Sequence, residues 1–113
     1  MRTFVYLGPI RFGAESRDAV TRRLRGGLHR FEERVERASL FVTDVNGAKG
    51  GPDLRCVCIV RLRGNNPIVI RDVGSHLTPL VERVVDRALR VVSEASGARR
   101  RRAVERRREE FAA

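Results

Sequence analysis

The hydrophobic pattern is clearest between Leu40 and Gly64, where apolar and polar residues alternate as only an extended chain can use them. Ala38, Leu40 and Val42 share one side of the first run. After a glycine-rich break, Cys56, Cys58, Val60 and Leu62 share one side of the second, with Arg55, Arg61 and Arg63 on the other. This predicts a hairpin with one face for a core and one basic face.

The flanking segments supply the other elements. Thr3 to Leu7 predicts a short strand with Phe4 and Tyr6 on one face and Thr3, Val5 and Leu7 on the other, ended by Gly8-Pro9 and joined to the hairpin's sheet. From Ala14 to Phe31, the spacing of Val20, Leu24, Leu28 and Phe31 predicts an amphipathic helix. Gly26-Gly27 inside it costs about 1 to 2 kcal/mol relative to alanines, so the helix is expected either to kink there or to be approached closely by another backbone. Arg22, Arg25 and His29 fall opposite the apolar stripe, while Arg23, Arg30 and Arg34 line one flank. These form either a basic contact face or a solvated one.

Asn65-Asn66-Pro67 predicts a turn and Pro67 to Val73 a further strand, which completes an antiparallel meander. A second helix is expected to start between Ser75 and Pro79, with Thr78 as its cap and Pro79 in its first turn. Its stripe includes Leu80, Val81, Val84, Val85, Ala88 and Val92. Arg83, Arg87 and Arg90 lie together opposite it and read as a contact surface. Ser96-Gly97 is a stop signal. Beyond it, residues 98–113 carry seven arginines against three glutamates and almost nothing apolar, which predicts a disordered or frayed tail, either an RNA-contacting arm or a solubilising one.

The order strand, helix, three strands, helix can bury its apolar faces only if both helices cover the same side of the sheet. The expected fold is therefore α+β, a two-layer β-α-β-β-β-α sandwich with a four-stranded sheet. Residues 1–96 would form the folded domain and 97–113 the tail.

At 113 residues one modest core is expected. The net charge of +10 changes the picture more, because the excess calls for an acidic partner. Every basic side chain except Lys49 is arginine, whose planar fork suits phosphate and stacks on bases. A genome-wide preference for arginine would explain the residue type but not the excess. Cys56 and Cys58 are the only cysteines and sit two apart on one strand, a poor geometry for a disulfide, so they read as small core hydrophobes in a reducing compartment. His29 and His76 lie on other elements, and no metal site is expected. The N-terminal MRTFVYLGPIRF has too short an apolar run for a signal segment, and a soluble cytoplasmic protein is expected.

Little here suggests catalysis. Asn46-Gly47-Ala48-Lys49-Gly50-Gly51 lacks the Gly-Lys-Ser/Thr that opens a helix in a phosphate-binding loop, although Lys49 on such a connection can approach a backbone phosphate. No nucleophile and base can be brought together from the pattern. The expectation is a protein without enzymatic activity, cofactor or small-molecule substrate.

The run from Asp44 to Cys56, DVNGAKGGPDLRC, follows a helix ending Leu28-His29-Arg30-Phe31 and precedes Pro67-Ile68-Val69-Ile70 and a second amphipathic helix. In this arrangement residues 1–95 resemble the short, single-domain ribosome hibernation factors, also called ribosome-associated inhibitors or sigma-54 modulation proteins. The resemblance implies the fold described above and binding to ribosomal RNA of the small subunit across the messenger and transfer RNA path, which blocks translation under stress. It implies an RNA-binding set of Arg22, Arg25 and Arg30 with Arg83, Arg87 and Arg90, to which the loop adds Lys49. No counterpart of the long form's dimerising domain is present, so a monomer on the ribosome is expected. An Arg-rich tail, Gly26-Gly27 and a longer hairpin loop set the chain apart from the best-studied members.

Two alternatives stay open. A general double-stranded-RNA module shares helix, three strands, helix, but usually opens its second helix with lysines, where this chain has Thr78-Pro79-Leu80-Val81-Glu82. A protein-interaction regulator could instead use an outer sheet patch of Phe41, Val57, Ile59 and Val69.

Overall fold

In the computed structural model, which describes residues 1–8, 14–45 and 53–112, the β-branched and alternating runs become four strands. These are β1 (Arg2–Gly8), β2 (Val35–Asp44), β3 (Leu54–Leu62) and β4 (Ile68–Gly74). Helix α1 (Ala14–Leu28) and a single 3-10 turn (His29–Phe31) link β1 to β2, and α2 (Leu77–Ala112) follows β4. The sheet order is β1-β2-β3-β4. β1 runs parallel to β2, as a helical crossover allows, and the other neighbours are antiparallel. The expected α+β, β-α-β-β-β-α sandwich is the observed fold.

Alternation assigns each strand a buried and an open side. Val5, Leu40, Cys58 and Ile70 form one cross-strand row under the helices, and Leu7, Val42, Cys56 and Asp72 form the next. Leu24 and Leu28 of α1 and Leu80, Val84, Val85 and Val92 of α2 close over these rows and are 1% exposed or less. Fully burying each such side chain is worth about 1.5 to 3 kcal/mol. The opposite side of the sheet has no covering element among the described residues. There Phe4 aligns with Ser39, Ile59 and Val69, and Tyr6 with Phe41, Val57 and Arg71.

Four details differ from expectation. β2 begins at Val35, because a bulge between Val35 and Arg37 lets both Val35 and Ala38 face the core although they are three apart. α1 ends at Leu28, directly after the glycine pair, and tightens into the 3-10 turn in place of continuing to Phe31. α2 starts at Leu77, within the expected Ser75–Pro79 window, but Thr78 then lies inside the helix and is not its cap. Finally, α2 passes through Ser96-Gly97 and continues to Ala112. One interior glycine costs about 1 kcal/mol, and the surrounding alanine, glutamate and arginine are good helix formers.

Gly64, at φ 77°, supplies the left-handed residue that turns β3 into β4. Gly27 has a different use. A Cβ there would come 2.8 Å from Leu89 Cδ1 and 3.0 Å from Arg23 Nη1, so its bare backbone admits a side chain of α2. The close approach expected at the glycine pair is thus made by a leucine and not by a backbone, while Gly26 has open space around it.

Candidate nucleic-acid interface

Helical spacing places the arginines of the helix layer, and the sheet then decides which are held. On α1, Val20, Leu24 and Leu28 face the core, which leaves Arg22 and Arg25 exposed. Neither makes an ion pair with the described residues. Arg30 belongs to the 3-10 turn, is exposed, and sits over the Phe31 ring at 4.7 Å.

Arg23, one residue from Arg22, has a different environment. Its Nε donates to both carboxylate oxygens of Glu82 at 3.0 and 2.9 Å, and its Nη2 donates to Asp86 at 2.6 Å. It spans from α1 to α2 and partly offsets the acidic side of α2. The hydrogen bonds to Glu82 raise its already high pKa further, so its charge is permanent.

On α2, Arg83 and Arg87 turn the other way, toward the edge strand β4. Arg83 donates from Nε to Asp72 at 3.0 Å and from Nη2 to the Val73 carbonyl at 3.1 Å. Gly74 leaves room for this, since a Cβ there would lie 3.0 Å from Arg83 Nη2. Arg87 donates to the Arg71 carbonyl at 3.3 Å and approaches Asp72 at 3.8 Å. Each keeps about half of its side-chain surface exposed, at 50%. The Arg83 hydrogen bond, with a second from the Val73 N–H, holds the Asp72 carboxyl below its usual range. Arg90, farther along the helix, is exposed and makes no ion pair with the described residues.

The geometry therefore joins Arg83 and Arg87 into one pre-positioned group on the outer flank of α2, with Arg90 beyond it. Arg25 lies on the side of α1 away from Arg23, and so away from α2. The two basic groups occupy opposite flanks of the helix layer, separated by the ion-paired Arg23–Glu82–Asp86 cluster. Lys49 and its loop lie outside the described residues. Sequence spacing set Arg23 on a different flank from Arg22 and Arg25 but had no means of naming its partner, which is 59 residues away. The visible signal was that Glu82 and Asp86, at i and i+4, present a paired acidic target.

Cys56 and Cys58 are free and fully buried, and burial pushes both thiols up to about 12. They are inert core residues. Among the described residues no group of three or more His, Cys, Asp or Glu could hold a metal ion, and no helix is long and apolar enough to cross a membrane.

No family model and no curated protein matches this sequence. Solved structures do match. The N-terminal domain of protein Y from Thermus thermophilus superposes with a TM-score of 0.63 at 18% identity, covering 80% of this chain and 93% of that one. A ribosomal subunit interface protein from Coxiella burnetii superposes equally well, with a TM-score of 0.63 at 13% identity over 86% of this chain and 99% of that one. The chain thus has the fold of these two proteins, which is the fold that the sequence resemblance implied.

Proposed function

We propose that this protein is a ribosome-associated translation regulator of the hibernation type, which binds ribosomal RNA of the small subunit through its helix layer and blocks the messenger and transfer RNA path. The observation that carries the reading is the pre-positioned Arg83–Arg87 group with exposed Arg90, Arg22, Arg25 and Arg30 on a fold shared with a protein named for the ribosomal subunit interface. Backbone phosphates would meet guanidinium forks already oriented by Asp72 and by main-chain carbonyls, which lowers the entropy cost of binding. Lys49 would reach a further phosphate from the hairpin loop. Residues 1–96 would supply the shaped contact and the Arg-rich tail a further, less specific one. Action is by occupancy, with no chemical step, in the cytoplasm and as a monomer.

Co-sedimentation with small ribosomal subunits, set against an equal mass of plain RNA duplex over about 50 to 300 mM salt, tests this, since phosphate-only binding falls steeply across that range. Retention on subunits at a salt that strips the duplex is the expected result. Equal loss from both would reduce the protein to a general duplex-RNA module and overturn the ribosomal reading.

A further inference from the structure

The sheet face away from the helices combines exposed rings with an excess of positive charge. Phe4 is 51% exposed, Tyr6 56% and Phe41 38%, and Tyr6 is the direct cross-strand partner of Phe41. Strand geometry sets Phe4 and Tyr6 about 6.6 Å apart along β1, with Phe41 about 4.8 Å across from Tyr6. The Tyr6 ring lies over Gly8, where a Cβ would collide with it. The Arg37 guanidinium sits over the Phe4 ring at 5.5 Å.

Arginines border this cluster. Arg2, Arg37 and Arg61 form one cross-strand row, and Arg71 and Arg55 lie at the other side. Among the described residues that pair in register, no acidic side chain occupies an open-face position of the sheet, and Glu36, exposed in the β2 bulge, stands beside Arg37 at the end of the arginine row. A second copy of the chain is a poor occupant, since two such faces would set arginine rows against each other. A duplex is also poor, because its base faces are stacked inside and cannot reach the rings. Unpaired bases satisfy both features: rings stack with bases of any sequence, and flanking guanidinium groups take the phosphates.

We propose that the open sheet face is a stacking platform for a single-stranded nucleic acid, with bases on Phe4, Tyr6 and Phe41 and backbone phosphates on the arginine row of Arg2, Arg37 and Arg61. This surface lies opposite the helix arginines and does not depend on the ribosomal reading.

Tyr6 is the only tyrosine in a chain without tryptophan, so intrinsic emission reports on the platform alone. The test titrates a 12-nucleotide oligouridylate into the full chain and follows inner-filter-corrected tyrosine emission, with anisotropy of a labelled oligomer in parallel. Saturable quenching by the single strand, and none by a duplex of equal length, is expected. The double variant Phe4→Leu with Phe41→Leu keeps apolar strand residues but removes two π-faces on which bases would stack, and should weaken binding at least tenfold. Phe41→Trp retains a ring if the double variant fails to fold, and should bind at least as tightly, with its indole emission quenched. Absence of quenching, equal quenching by the duplex, unchanged affinity of the leucine variant, or self-association relieved by the same substitutions would overturn the proposal.

Discussion

Arg23 of α1 grips Glu82 of α2 through a single nitrogen, Nε, at 3.0 and 2.9 Å from the two carboxylate oxygens, across 59 residues of sequence. Arg23 keeps 29% of its side-chain surface exposed and Glu82 keeps 45%, so the contact is partly shielded from solvent. In a double-mutant cycle of Arg23→Ala and Glu82→Ala, followed by urea unfolding, a coupling of about 0.5 to 1.5 kcal/mol is expected. A coupling near zero would mean that the two helices are positioned by their apolar contacts alone.

The neighbouring glycines should behave differently although they are adjacent. Gly26→Ala places a methyl in open space and should stabilise the protein by about 0.5 to 1 kcal/mol, or roughly 4 °C in Tm per kcal/mol. Gly27→Ala drives a methyl against Leu89 and should lose that gain or reverse it. Equal melting temperatures for the two variants would show that Leu89 moves aside freely.

Asp72 makes stability sensitive to acid. Its folded pKa is lowered, chiefly by the Arg83 hydrogen bond, so its contribution is present above the ordinary carboxylate range and is lost as pH falls through the folded value. Asp72→Asn should cost about 0.5 to 1 kcal/mol at neutral pH and nothing once the wild-type carboxyl is protonated. Urea titrations stepped downward from pH 7 through and below the ordinary carboxylate range measure this, and a cost that does not shrink as pH falls would refute it.

The buried thiols act at the other end of the scale. Both are raised to about 12, so the folded state holds protons that the unfolded chain releases, and stability is full below the ordinary thiol range and falls as pH rises toward 12. Each thiol contributes up to about 1.4 kcal/mol per pH unit to that fall. Replacing both by Ala should flatten the stability profile above pH 9. At pH 8, a thiol reagent should label the wild type only as fast as the domain opens.

Charge reversal on the helix layer needs the right positions. Glu at 83 or 87 would face Asp72 and perturb the fold, whereas Arg22, Arg25 and Arg90 make no ion pair with the described residues. Arg22→Glu, Arg25→Glu and Arg90→Glu combined should leave Tm unchanged and weaken binding to small subunits at least tenfold. The salt slope should drop by about 1 for each phosphate that is no longer neutralised. Unchanged subunit binding would sink the assignment of this layer.

Periodicity alone determined the element order, the core-facing sets and the sandwich of both helices on one sheet face, because burial imposes a period of two on strands and 3.6 on helices wherever it occurs. It also located the arginine face of α2 and the basic side of β3. What it could not reach depends on pairing between distant residues. The β2 bulge that turns Val35 inward, the use of Gly27 to admit Leu89, and the diversion of Arg23 to Glu82 are set by neighbours from other elements. The cluster of Phe4, Tyr6 and Phe41 has the same origin. Alternation showed that Phe4 and Tyr6 share a side, but only the parallel register of β1 on β2 brings Phe41 beside Tyr6, since a shift of one residue would have turned that ring into the core.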